Sequence, residues 1–148
     1  MLKKTITYTD FDNNERTETH YFHMTNNESI EAAFDLIPEL DEYESIDKNP
    51  RQLTSMIVDK MGAGGVFKFI KELILRSYGC KSSDGRRFDK SEELRTEFAN
   101  SLAFDKIFTD LLSDASEAAE FINEVLPVNA IQEVLKQMDE RAASDSAK

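Results

Sequence analysis

Ser77-Tyr78-Gly79-Cys80-Lys81-Ser82-Ser83-Asp84-Gly85-Arg86-Arg87-Phe88-Asp89-Lys90-Ser91-Glu92-Glu93-Leu94-Arg95 is the stretch on which the fold turns. Upstream of it runs the most apolar helix of the chain, Val66 to Tyr78. Phe67, Ile70, Ile74 and Tyr78 fall on one line there, with Val66, Phe69 and Leu73 beside them. An apolar arc that wide belongs to a central helix with several neighbours. Gly79 stands where a left-handed C-cap belongs. A loop rich in turn formers and cations follows, and Ser91 then caps a new helix whose Glu92 and Glu93 face the positive dipole end.

Working outward, residues 1–24 read as a β-hairpin. Thr5 to Thr9 alternates, Asp10 to Glu15 supplies turn formers, and Arg16 to Met24 places His20, Phe22 and Met24 on one face. Thr25-Asn26-Asn27-Glu28 is a capping box that opens a helix with Ile30, Ala33, Phe34 and Ile37 inward, ended by Pro38. Residues 35–48 form an acidic loop. Asn49-Pro50 starts a helix carrying Leu53, Met56, Ile57 and Met61. Gly62-Ala63-Gly64-Gly65 then breaks it as an interhelical hinge, glycine costing about 1 kcal/mol against alanine in a helix. Ser101 opens a helix with Phe104, Ile107, Phe108, Leu111 and Leu112 inward. Asp114-Ala115-Ser116-Glu117 caps another, with Ala118, Phe121, Ile122 and Val125 inward. Pro127 sets off a last amphipathic helix, 128–143, carrying Ile131, Val134, Leu135 and Met138, before a frayed tail at 144–148. The expectation is one domain over 1–148, mainly α with α+β character. It is a bundle of about six or seven helices (core 25–127) with an N-terminal β-hairpin.

Composition narrows function. Among 148 residues, a 40% apolar share is enough for a packed core without staples. A net charge of −11 argues against nucleic acid as ligand, because phosphate binding needs a concentrated basic surface. The lone Cys80 excludes an internal disulfide and suits a reducing compartment. No run approaches the ~20 apolar residues of a membrane-spanning helix, and the N-terminus has no signal-peptide core. The expectation is therefore a protein of a cytoplasm, with no membrane partner.

Sites for chemistry are absent from the pattern. His20 and His23, three apart on a strand, point to opposite faces and do not share a metal. Cys80 has no base marked for it, so no catalytic residue, cofactor or metal is assigned. The glycine hinge lacks the Lys-Ser/Thr pair of a phosphate loop. The acidic runs (Glu28 to Asp47, and Asp110 to Glu124) lack calcium-loop spacing. They read first as solvated surface and second as a DNA mimic that would inhibit a basic DNA-binding protein. Lys68, Lys71, Arg76, Lys81, Arg86, Arg87, Lys90 and Arg95 gather the positive charge, either for a partner or for the protein's own carboxylates.

The stretch also carries a resemblance. Leu73-Ile74-Leu75-Arg76-Ser77-Tyr78-Gly79, Lys81 to Phe88, Lys90 to Arg95, Phe98, Phe104 to Leu112 and Ala118 to Pro127 are similar, in that order, to the tail assembly chaperones of long, non-contractile-tailed (siphovirus-type) phages. The entry from Lys3 to Thr25 is similar too. The resemblance implies a non-enzymatic protein that binds the tape measure protein. It would hold that long helical chain soluble in the host cytoplasm while the tail tube assembles, and be absent from the virion. It further implies that this chain is the short, pre-frameshift form, with a frameshift-extended form recruiting the major tail protein. A homo-oligomer is allowed for but not specified. The partner-binding residues expected on this reading are Arg86, Arg87 and Phe88 in the loop, and Ile131, Leu135 and Met138 on the last helix.

Overall fold

The computed structural model describes residues 1–36, 50–126, 137, 140 and 141, with only the backbone described for 50–58. It is α+β. The elements run β1 (Leu2–Thr9), β2 (Glu15–Phe22), α1 (Asn26–Leu36), α2 (Pro50–Ser77), β3 (Tyr78–Lys81), β4 (Phe88–Asp89), α3 (Glu92–Ala99), α4 (Leu102–Ser113) and α5 (Ala115–Val125). The strands form one antiparallel sheet in the order β1-β2-β3-β4.

The expected hairpin is present. β1 and β2 pair without interruption from Leu2↔Phe22 to Thr9↔Glu15. Asp10 builds the turn: its Oδ1 accepts from the Asp12 and Asn14 amides, both at 2.9 Å, and Arg16 pairs with Oδ2. Asn13 takes the left-handed conformation (φ 62°) that asparagine tolerates better than most residues. On the exposed face the threonine hydroxyls meet across the strands, Thr5 with Thr19 at 2.9 Å and Thr7 with Thr17 at 3.0 Å.

The caps fall where the sequence puts them. The Thr25 amide donates to Glu28 Oε1 (3.0 Å) and the Glu28 amide to Thr25 Oγ1 (3.2 Å), a reciprocal capping box. Ser91, Ser101 and Asp114 accept from amides in the first turns of α3, α4 and α5. Thr25→Ala should cost about 1 kcal/mol. A thermal melt would register that as a fall of about 2–4 °C for a chain of this size.

Four expectations need correction. Five helices, not six or seven, stand among the described residues. Gly62 (φ 72°, ψ −176°) leaves helical geometry and kinks α2 where the glycine break was expected, so that the two helical segments on either side of it count as one element here, with Ala63 to Gly65 belonging to the second. The expected helix after Pro127 lies outside the described residues. Gly79 is not a helix cap. It sits in β3 and its φ is not positive, the left-handed glycines being Gly62 and Gly85. A Cβ at Gly79 would stand 2.6 Å from Phe88 Cε2 and 2.9 Å from the Asp89 carbonyl oxygen, so the glycine serves the close approach of β4. On α1 the buried face is Ser29, Ala32 and Ala33, while Phe34 is exposed. Ser29, Ala32 and Ala33 stand at i, i+3 and i+4 on one face of the helix, and Phe34 falls beside that face. Phe67 and Leu112, both expected inward, are also exposed.

The core lies between the sheet and the helices. Phe69, Ile70, Leu73 and Ile74 of α2 meet Ile107 and Leu111 of α4 and Phe121, Ile122 and Val125 of α5, with α4 and α5 also covering β1. Phe22 is fully buried, with its ring against Tyr78, Phe98 and Phe121 at centroid distances of 6.1, 6.0 and 5.5 Å.

Candidate functional site

The motif stretch folds into a second hairpin. Ser82 closes its loop: the Ser82 amide donates to the Arg87 carbonyl (2.9 Å), and the Arg87 amide donates to Ser82 Oγ (3.0 Å). Asp84 Oδ1 accepts from Ser82 Oγ (2.7 Å) and the Arg86 amide (3.1 Å), and those bonds hold its carboxyl below the ordinary range. Gly85 supplies the positive φ (74°) that the turn requires. Arg86 and Arg87 are thereby carried into solvent, with Arg87 Nε 3.6 Å from Asp89 Oδ1.

Phe88 differs from its two neighbours. It is half-buried, lies over Gly79, meets His23 edge-on at 6.2 Å and has the Lys90 ammonium 5.7 Å from its ring centroid. Tyr78 stacks on Phe98 (4.0 Å, interplanar 8°). Burial, and then the neighbouring Cys80, push its hydroxyl up to about 12. Tyr78, Gly79 and Phe88 are thus the packing base of the loop, and the arginines are its free tip. Ile131, Leu135 and Met138 lie outside the described residues.

Arg76 and Lys90, two of the eight cations, turn to the protein's own carboxylates. Arg76 bridges Asp35 (3.1 Å) and Glu72 (3.6 Å), and Lys90 reaches Glu28 (2.9 Å). Arg76, Glu28, Glu31, Asp35, Glu72, Arg95 and Met24 line a polar cleft of about 320 Å³ between α1, α2 and α3. Four carboxylates face two guanidiniums across the cleft.

Burial opposes the Glu28 charge, but the Thr25 amide and Lys90 outweigh it, and the carboxyl sits below its usual range. Burial, helped by the N-terminal amine and Lys90, lowers His23 below its usual value of 6.5. Both folded-state values are depressed, so both groups contribute stability at neutral pH that is lost on acidification. His23 acts as pH falls below about 6.5, and Glu28 below about 4.5. In denaturant titrations, His23→Gln should flatten the decline between pH 7 and 5 and leave the lower acid limb intact.

The histidines do not converge. His20 packs on Phe98 (5.3 Å) and lies 3.3 Å from Glu18, whereas His23 faces Phe88. No group of three or more metal-ligating side chains occurs among the described residues, and none of their helices is long and apolar enough to cross a membrane.

Sequence reasoning missed an apolar ridge. Phe67 of α2 (46% exposed) meets the buried Phe108 of α4 edge-on at 4.8 Å, and Phe108 lies 5.7 Å from the partly buried Phe104. Leu112 (44% exposed) stands one turn beyond Phe108 on the same face. The helical periodicity that marks these residues as apolar is the same for a core face and for an open one. Only the placement of α2 against α4 separates them.

The family model described as "Phage tail assembly chaperone" matches residues 1–148, the whole chain. No curated protein and no solved structure matches the chain significantly.

Proposed function

This chain belongs to the phage tail assembly chaperone family, and from that premise we propose that it binds the tape measure protein and keeps it soluble in the host cytoplasm while the tail tube assembles. It acts as a holdase without catalysis, as the short form of a pair whose frameshift-extended partner recruits the major tail protein. It leaves before the virion is complete.

The observation that carries this reading, beyond family membership, is the exposed pair Phe67 and Leu112, flanking the buried Phe108 and the partly buried Phe104, on an otherwise acidic protein. A holdase needs apolar contact surface for its client and high charge for solubility, and a net charge of −11 supplies the second. An amphipathic client helix would lay its apolar face along the ridge. Arg86, Arg87 and Phe88 on the hairpin loop, and Ile131, Leu135 and Met138 after Pro127, are proposed to add contacts.

Two measurements test the reading. Purified chain should capture the tape measure protein in a pull-down, and mass spectrometry of purified particles should find the tape measure protein without this chain. Stoichiometric retention in the particle would instead make it a virion component.

A further inference from the structure

Among the described residues the hairpin ends in an open edge. β1 is the outermost strand of the sheet, eight residues long, and it pairs with β2 alone among the described residues. Two hydrogen bonds fix which of its backbone groups face outward. The Asp10 amide donates to the Asn14 carbonyl (2.9 Å), so Asp10 faces β2, as do Tyr8, Ile6 and Lys4 by alternation. Independently, the His23 amide donates to the Ser77 carbonyl (2.8 Å) on the β3 side. That turns Phe22, His20 and Glu18, the partners of Leu2, Lys4 and Ile6, towards β1. The amides and carbonyls of Lys3, Thr5, Thr7 and Thr9 are therefore directed away from the sheet, and all four side chains are exposed.

Protected edges usually carry a proline, a bulge or a charge in the way. β1 has neither proline nor bulge. The Lys3 ammonium is drawn 5.8 Å from the Tyr21 ring, over the sheet face. The core of the strand, Thr5-Ile6-Thr7-Tyr8-Thr9, is made of residues that favour extended structure.

We propose that a second copy of this chain pairs along this edge, β1 antiparallel to β1, about a two-fold axis through Ile6. In that register Lys3 lies opposite Thr9 of the second copy and Thr5 opposite Thr7, so every outward-facing residue finds a hydrogen-bonded opposite number. The register also keeps the lysines apart, whereas a two-fold at Lys3 or Lys4 sets like charges face to face. The buried faces of the two sheets stay on the same side, with Ile6 against Ile6. On the other face the threonine pairs already present join into rows running Thr17, Thr7, then Thr5 and Thr19 of the second copy. The interface is isologous and closed. β2 also overhangs β3, but its free segment from Glu15 to Thr19 carries Glu15, Arg16 and Glu18 and offers a shorter edge. The inference stands apart from the chaperone reading and uses nothing from it.

Sedimentation equilibrium of the full chain tests the proposal. The wild type should sediment at twice the 16.9 kDa of one chain. Thr7→Pro removes an amide that faces away from β2, so the intrachain ladder is kept while the dissociation constant rises at least about tenfold. Circular dichroism checks that this variant is folded. Should it not be, a charge pair decides. T5E/T7E places like charges opposite one another and should dissociate the dimer, whereas T5K/T7E places opposite charges there and should restore it. A wild type that is monomeric across the concentration range overturns the proposal, as does a dimer indifferent to these substitutions. If the wild type is monomeric and Thr7→Pro abolishes capture of a client, the edge belongs to an extended client segment and self-pairing is wrong.

Discussion

Phe22→Ala should destabilise the fold by about 3–5 kcal/mol, the cost of emptying a fully enclosed aromatic site. Phe22 closes the hairpin onto the helices. It is fully buried and lies beside Tyr78 of β3, Phe98 of α3 and Phe121 of α5. Those three rings come from three elements and none of them can fill the space without leaving its own packing, Tyr78 being already stacked on Phe98. A two-stranded hairpin is marginal without a hydrophobic surface beneath it. The loss should therefore extend beyond a lowered midpoint: the amides of β1 and β2 should exchange faster than those of α2. Urea denaturation and hydrogen exchange would read the two effects. A loss below about 1 kcal/mol would mean that the hairpin does not rest on the core as described.

The second large effect concerns binding rather than folding. Phe67→Ser combined with Leu112→Ser should leave the melting temperature within a few degrees of wild type and reduce client capture at least about tenfold, because exposed residues contribute little to folding yet hot spots dominate association. Both side chains are nearly half exposed. The main structural loss is the edge-on contact of Phe67 with Phe108, about 0.5–1.5 kcal/mol. Pull-down with the tape measure protein, set beside a thermal melt of the same preparation, separates the two readouts. A variant that melts like wild type and binds like wild type would move the client site off the ridge.

Local chemistry made the helix starts legible. Thr25 with Glu28, Ser91, Ser101 and Asp114 all cap as their spacing requires, since a capping residue needs only its own first turn. The first hairpin was legible for a similar reason, its turn being built by Asp10 within a few residues of the strands. β3 and β4 were not. Tyr78 continues the helical apolar spacing of α2, and only pairing of Gly79 and Tyr78 with Tyr21 and Phe22 of a distant strand makes it extended. Gly79 illustrates the ambiguity: a glycine after a helix signals a left-handed cap or a close crossing, and the crossing partner, Phe88, is fixed by tertiary structure.

The motif that carries the family resemblance proves largely to be a packing motif. Tyr78, Gly79 and Phe88 hold the second hairpin to the sheet and leave Arg86 and Arg87 in solvent. Packing of this kind ties a recognisable sequence pattern to the fold. The basic residues divide for electrostatic reasons. Lys90 and Arg76 lie next to carboxylates of α1 and α2 and pair with them, while the loop arginines lie at a tip where Asp89 is the near partner. Counting cations along the chain cannot make that division, because Glu28 and Lys90 are brought together only by the packing of α1 near the start of α3.

Co-expression of this chain with the tape measure protein, followed by measurement of how much of that protein remains in the soluble fraction, tests the central claim most directly. The account predicts that the tape measure protein, insoluble alone, becomes soluble and co-purifies with the chain, and that the Phe67→Ser/Leu112→Ser variant fails to rescue it. A tape measure protein that stays insoluble with the wild-type chain, and also with the frameshift-extended form present, would contradict it.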